Sequence, residues 1–257
     1  MSPITIKDIM SKAITIAKAA SIAEALDKML DQGADPLIVT HNGSTVGTIS
    51  RKSIANILGS KKNSNISPNA IHVASTVEDD FTSAYPDQGL DVAIPLLQHY
   101  KLVVVLDRDH RLVGQVTAVD LLKVLQPDCT VEEVTETVCT IQADERVVHL
   151  RRRMLDDNIT KFIVKDNSTI IGIVTETDVA TAMRSFREVV EDKYQDHRIR
   201  NLLVRDIMSS PVLTVEKSDG VKKIVDLMLK KSISSVPVTD NGEIIGIVTR
   251  ESLVKTL

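Results

Sequence analysis

Ile245-Gly246-Ile247-Val248-Thr249 decides the fold, because the chain carries this pattern four times. The other copies are Val46-Gly47-Thr48-Ile49-Ser50, Val113-Gly114-Gln115-Val116-Thr117 and Ile171-Gly172-Ile173-Val174-Thr175. Each places a glycine among β-forming residues and ends on a hydroxyl residue able to cap a helix. A unit that returns at intervals of roughly 60–70 residues marks a repeat architecture, each copy being one supersecondary unit.

A second anchor lies upstream of each copy. Thr15, Ser83, Thr140 and Thr214 each stand seven residues before an aliphatic residue that opens an amphipathic helix: Ile22, Leu90, Val147 and Val221. From those hydroxyl residues to the glycines the distances are 32, 31, 32 and 32 residues. Such a register predicts strand, helix, strand, strand, helix in every repeat. In repeat 4, Val212 to Val215 are β-rich, and Val221, Ile224, Val225 and Met228 recur at helical spacing. Val236-Pro237-Val238 and Ile244 to Val248 make a hairpin around Asp240-Asn241-Gly242, whose residues tolerate the positive φ of a tight primed turn. Asn42-Gly43 repeats that turn in repeat 1, whereas Asp109-His110 and Asn167-Ser168 occupy it in repeats 2 and 3.

The arrangement resembles the cystathionine-β-synthase-type (CBS) domain family. Asp8-Ile9-Met10, Asp206-Ile207-Met208, Val236-Pro237-Val238 and the four glycine-to-helix segments carry the resemblance, which covers the chain from Asp8 to Leu257. It implies an α/β (α+β) fold of four β-α-β-β-α repeats, paired into two modules with pseudo-twofold axes (Bateman modules). The expected repeats are 1–59, 66–126, 130–186 and 201–257, giving modules 1–126 and 130–257. Ser60 to Asn65 is expected to be a polar linker, Pro127-Asp128 to break the helix between modules, and Arg187 to Arg200 to extend the last helix of repeat 3.

Composition narrows the function classes. The 257 residues are 43% hydrophobic and 26% charged, as in soluble globular proteins. Aromatic residues make up 2%, leaving few rings on which bases could stack, and a net charge of −4 exerts no overall pull on a phosphate backbone. Nucleic acid is therefore not the expected partner. No apolar run approaches the roughly 18–20 residues that span a bilayer, and Leu102 to Leu106 reads as a buried strand. With no visible secretory signal and only Cys129 and Cys139, the expected location is cytoplasmic.

The sharpest difference among the repeats lies three residues after the hydroxyl. Repeat 2 has Thr117-Ala118-Val119-Asp120 and repeat 3 has Thr175-Glu176-Thr177-Asp178, whereas repeats 1 and 4 end the same tetrapeptide in Ser53 and Ser252. One reading is a capping box, in which the acid answers the N-cap N–H. The other is a ribose clamp, since a carboxylate can accept hydrogen bonds from both hydroxyls of a cis-diol. The resemblance implies the clamp: Thr117 with Asp120 and Thr175 with Asp178 match the family's Thr-x-x-Asp element. Repeats 1 and 4 depart from it, which puts nucleotide binding there in doubt.

Lys101 and Lys161, the latter preceded by Thr160, stand just before central strands in the two repeats that keep Asp. A lysine there can snorkel to solvent, in which case a Lys→Met change shifts stability by no more than about 0.5 kcal/mol. The resemblance instead places these residues against base and phosphates. It also implies that the partner repeat walls the base, with Met10 and Ile14 at the Asp120 site and Met208 and Leu213 at the Asp178 site, residues that plain core packing would equally explain. Arg151-Arg152-Arg153 lie on the first helix of repeat 3, with Val147, Leu150 and Met154 forming its buried stripe. They read as a solvated face or, by the resemblance, as neighbours of a phosphate at the contact between modules.

No cysteine or histidine spacing suits a metal, and no phosphate loop or nucleophile elbow is present, so neither a catalytic centre nor a catalytic cofactor is expected. The expected function is a regulatory sensor that binds AMP, ADP or ATP, responds by changing conformation, and signals to a separate protein target. Diadenosine polyphosphate and S-adenosylmethionine are alternative ligands. A structural or interaction subunit with vestigial pockets is the alternative of another class. The two modules are expected to pack as an intramolecular disc or through a homodimer.

Overall fold

The computed structural model describes residues 3–58, 60, 66–189 and 201–257. Most of the expected linker and most of the charged segment after repeat 3 lie outside them.

Each repeat forms a small sheet with the same topology. Repeat 1 contains β1 (Thr15–Ala17), β2 (Leu37–His41) and β3 (Ser44–Ile49). Repeat 2 contains β4 (Thr82–Ala84), β5 (Leu102–Leu106) and β6 (Leu112–Thr117). After β7 (Thr135–Glu136), repeat 3 contains β8 (Cys139–Gln142), β9 (Lys161–Asp166) and β10 (Thr169–Thr175), and repeat 4 contains β11 (Val215–Glu216), β12 (Ser235–Asp240) and β13 (Glu243–Thr249). In every sheet the first strand runs parallel to the central one, and the third returns antiparallel. The parallel pair requires a crossover, which the first helix supplies. Those helices begin at Ile22, Leu90, Val147 and Val221. In the first of them a capping box fixes the start: Ser21 Oγ accepts from Glu24 N at 3.1 Å, and Glu24 Oε2 accepts from Ser21 N at 2.9 Å. The opening strand of repeat 4 is shorter than its β-rich sequence suggests. Only Val215 and Glu216 pair with β12, while Leu213 is exposed and belongs to no core.

The hairpins keep the expected turn where both turn residues allow it. Asn42 and Gly43 have φ of 50° and 82°, and Asn241 and Gly242 have 52° and 84°, the signature of a primed turn. All four hairpins also share a register shift beside the repeat glycine.

The glycines matter because a foreign segment lies against them. The stretch leading into each repeat crosses to its partner and pairs with the partner's third strand: Ser11 with Gln115, Glu78 with Thr48, Ser209 with Ile173, and β7 with β13. A Cβ on Gly114 would stand 3.0 Å from Met10 Sδ, and one on Gly246 would stand 2.3 Å from Thr135 Cγ2 and 2.6 Å from Glu136 O. Repeats 1 and 2 thus exchange lead-in segments, as do repeats 3 and 4. The sheets of the first pair also share a small core of Ile38, Leu102 and Val104.

Between the two pairs the contacts run through helices. The closing helix of repeat 1, Arg51–Leu58, packs on that of repeat 3, Glu176–Val189, and one continuous core joins these repeats. The closing helices of repeats 2 and 4, Ala118–Leu122 and Arg250–Val254, make the corresponding contact. Arg184 of repeat 3 pairs with Asp27 of repeat 1 across the larger interface. Repeat 1 therefore faces repeat 3, and repeat 2 faces repeat 4.

Among the described residues no helix is long and apolar enough to cross a membrane.

Candidate functional site

Four equivalent junctions arise where a hydroxyl at the start of a closing helix meets the lead-in segment of the partner repeat. In repeat 2, Asp120 is buried, with Oδ2 accepting from Thr117 N at 2.9 Å, Thr117 Oγ1 at 2.8 Å and Ser11 Oγ at 3.2 Å. In repeat 3, Asp178 Oδ2 accepts from Thr175 N at 2.7 Å and Thr175 Oγ1 at 2.6 Å, while Oδ1 accepts from Ser209 Oγ at 3.0 Å. Both aspartates thus close a capping box, and both are also reached by a serine from the other repeat. The cap alone does not demand an acid. In repeats 1 and 4 the backbone N–H groups of Ser50 and Thr249 are answered by Ser53 Oγ at 3.1 Å and Ser252 Oγ at 3.0 Å.

The partner's lead-in segment carries Met10 and Ile14, or Met208 and Leu213, the residues that the resemblance assigns to a base wall. Met10 and Met208 are partly buried, with their sulfurs packed toward Gly114 and Gly172. Ile14 is tied to the same sheet, its N–H donating to Gln115 Oε1 at 3.0 Å. Leu213 is 46% exposed, so core packing does not account for it. Sequence reasoning passed over Ser11, Ser209 and Gln115, although a serine follows both Asp-Ile-Met tripeptides and signals the first two.

Lys101 keeps an exposed side chain, at 42%, whereas that of Lys161 is drawn in. They converge on charged groups from all four repeats. Lys101 Nζ lies 3.7 Å from Asp35 Oδ2 of repeat 1, and Lys161 Nζ lies 3.9 Å from Glu251 Oε2 of repeat 4. The Lys161 side chain is only 16% exposed, so the surface-lysine expectation fails for it. Burial opposes charge on both ammonium groups. For Lys101 the field of Asp35, Glu176, Glu251 and Glu78 outweighs burial and raises its pKa. For Lys161 burial prevails and lowers it, helped by repulsion from Lys101. Glu176, which follows the capping Thr175, shares the centre. Burial pushes its carboxyl up to about 7 against the pull of Lys101. Thr160 holds the backbone there, its carbonyl accepting from Glu176 N at 3.1 Å.

The three arginines of repeat 3 separate. Arg152 is solvated and pairs with Asp156 at 3.3 Å. Arg153 stacks on Phe162, 4.7 Å from the ring centroid. Arg151 turns toward repeat 1, lining with Lys52, Asn56 and Glu176 a crevice between the two closing helices, and burial lowers its pKa.

The sequence profile of the CBS domain matches residues 6–60, 73–127, 131–185 and 204–257. Uncharacterized protein MJ1225 of Methanocaldococcus jannaschii is 24% identical over 95% of both chains. Its crystal structure superposes with a TM-score of 0.81, at 23% identity and over 98% of this chain and 99% of that one, which shows a shared fold. Uncharacterized protein MK0525 of Methanopyrus kandleri is 34% identical over 48% of this chain and 60% of its own length. A homoserine O-acetyltransferase of Methanococcus vannielii is 27% identical over 48% of this chain but only 24% of its own. With four matched domains spanning nearly all of the described residues, the chain belongs to the CBS-domain family.

Proposed function

We propose that the protein is a sensor of adenine nucleotides that takes AMP, ADP or ATP in the Asp120 and Asp178 clefts and signals by changing how its repeats pack. One observation carries this reading. In one repeat of each pair, an aspartate presents its carboxylate between an N-cap threonine and a serine of the partner repeat. Such a carboxylate can trade its serine for the two hydroxyls of a ribose, gaining charge-assisted hydrogen bonds. Because two repeats build each cleft, a bound ligand has differential contacts with their arrangement, as a conformational signal requires.

Lys101 and Lys161, held near one another at the common centre, supply positive charge for phosphates. Their proximity also favours one specific second ligand, a diadenosine polyphosphate whose phosphate chain crosses the centre between the two clefts. The MJ1225 crystal structure is described as that of a candidate archaeal homolog of g-AMPK, which agrees with a sensing role. Equilibrium binding of AMP, ATP, S-adenosylmethionine and NADH, repeated on the Asp120→Asn/Asp178→Asn variant, tests the reading. Binding of AMP or ATP that the variant loses supports it. Binding of none of the four would leave a structural subunit.

A further inference from the structure

Each lysine at the common centre is met by an acid from its partner repeat. Asp35 Oδ2 of repeat 1 lies 3.7 Å from Lys101 Nζ of repeat 2, and Glu251 Oε2 of repeat 4 lies 3.9 Å from Lys161 Nζ of repeat 3. The plan is the same in both halves of the molecule. The lysine stands just before or at the start of the central strand of the repeat that carries Asp120 or Asp178, and the acid comes from the repeat whose Thr-x-x-Asp element has lost its aspartate. Of the carboxylates whose fields reach Lys101, Asp35 acts most strongly, and of those that reach Lys161, Glu251 does.

Both contacts are attractive but loose. Each is longer than the roughly 2.7–2.9 Å of a charge-assisted N–H···O bond, so the lysines are held by charge without a hydrogen bond to these acids. The acids are positioned independently of the lysines. Asp35 Oδ1 accepts from Arg51 N at 2.9 Å, at the first residue of the closing helix of repeat 1, and Glu251 is built into the closing helix of repeat 4. Glu251 Oε2 is buried with no hydrogen-bond partner, so the charge of Lys161 is its compensation. A phosphate offers several acceptor oxygens and can make the hydrogen bonds that these carboxylates do not. It can therefore take the lysines only in competition with two fixed anions.

We infer that Asp35 and Glu251 are specificity-determining residues, resident counter-ions that a ligand's phosphates must displace from Lys101 and Lys161. They lower affinity for phosphorylated ligands and leave the bare nucleoside untouched. Each displacement unloads an ion pair at the start of a closing helix, and those helices carry the contacts between the two pairs of repeats. This inference rests on the nucleotide reading above, and the experiment separates the two. It is calorimetric titration of the full chain with adenosine, AMP and ATP. Asp35→Asn and Glu251→Gln should each bind AMP and ATP about 5-fold more tightly, as expected when a partly exposed ion pair need no longer be broken. Adenosine should bind all three proteins alike. A double-mutant cycle tests whether each acid acts through its lysine: in the Lys101→Met background Asp35→Asn should tighten nothing, and in the Lys161→Met background neither should Glu251→Gln. Asparagine keeps an acceptor for Arg51 N, glutamine preserves the shape of Glu251, and thermal unfolding verifies that both variants are folded. Should Asp35→Asn fail to fold, the Glu251 cycle decides. Phosphorylated ligands bound no tighter by the folded acid variants overturn the inference, as does a gain that adenosine shares or that persists without the lysine. The nucleotide reading itself fails in a different way, when neither the unmodified chain nor any variant binds any of the three ligands.

Discussion

Ser11 Oγ donates to Asp120 Oδ2 at 3.2 Å, so the acid that caps a helix of repeat 2 is also gripped by repeat 1. The same carboxylate oxygen serves the cap and the neighbouring repeat. Removing it should therefore act on both stability and binding, and two substitutions can separate the effects. Asp120→Ala leaves Thr117 N without its acceptor, costing about 1 kcal/mol of stability. Asp120→Asn keeps an acceptor oxygen and should unfold close to the unmodified protein. Both variants, and their Asp178 counterparts, should lose about 1.5–3 kcal/mol of nucleotide affinity, or roughly 10- to 100-fold. Unchanged affinity in the folded asparagine variants would reduce the aspartates to helix caps.

The repeat glycines give a stability prediction independent of any ligand. Gly246→Ala places a methyl 2.3 Å from Thr135 Cγ2 and 2.6 Å from the Glu136 carbonyl oxygen. Since the latter is backbone, the lead-in strand must shift, and overpacking of this kind costs about 1–3 kcal/mol. Gly220 has nothing within 4 Å of an added Cβ and serves as the control. Urea unfolding should show Gly246→Ala losing more stability than Gly220→Ala, whose cost is limited to that of a weaker N-cap for the helix Val221–Lys231. Equal behaviour of the two would contradict the exchange of lead-in segments between repeats.

These features explain which parts of the structure were legible beforehand. The helix starts at Ile22, Leu90, Val147 and Val221 follow from local periodicity, so the sequence displays them. The hairpin turn at Asn241-Gly242 is equally local. By contrast, the pairing of Glu78 with Ser50 joins a lead-in segment to a helix start 28 residues away. It depends on the register between two repeats, which no local pattern reveals. The lysines misled for a related reason. Their acids, Asp35 and Glu251, come from neighbouring repeats and become partners only once the repeats pack. At Val212 to Val215 the β-rich composition overstated the strand, because only its end has a partner strand beside it.

Glu176 gives the protein a pH dependence of definite sign. Its folded-state value of about 7 lies above the usual 4.5, because burial disfavours the carboxylate. The folded state thus holds more protons than the unfolded one, and stability falls as pH rises from about 4.5 to about 7, by an amount on the order of 3 kcal/mol or less. Glu176→Gln should flatten this window and be the more stable protein at pH 8, as measured by denaturant unfolding across pH. A phosphate entering the centre would raise the carboxyl further and draw in a proton. Calorimetry in buffers of different ionisation enthalpy should then register proton uptake with ATP near pH 7. A flat stability profile from pH 4.5 to 7, unchanged by Glu176→Gln, would show that this carboxylate is ionised throughout.

The lysines test whether phosphate is recognised at all. If Lys101 and Lys161 receive phosphates, adenosine should bind much more weakly than AMP or ATP, and salt should weaken the phosphorylated ligands selectively. Lys101→Met/Lys161→Met should narrow that gap. The stability changes of the single variants should differ. Lys101→Met leaves the largely buried Asp35 with Arg51 N, 2.9 Å away, as its hydrogen-bond donor, at a cost of about 1–2 kcal/mol. Lys161 is held against its own desolvation, but the Glu251 oxygen that faces it, Oε2, is itself buried and has no hydrogen-bond partner. Lys161→Met should therefore cost more than Lys101→Met, about 3 kcal/mol, because it breaks one half of a buried pair and leaves the other charge uncompensated. Equal binding of adenosine and ATP to the unmodified protein would refute the phosphate assignment. The clefts would then be reading base and ribose alone, and S-adenosylmethionine would become the ligand to pursue.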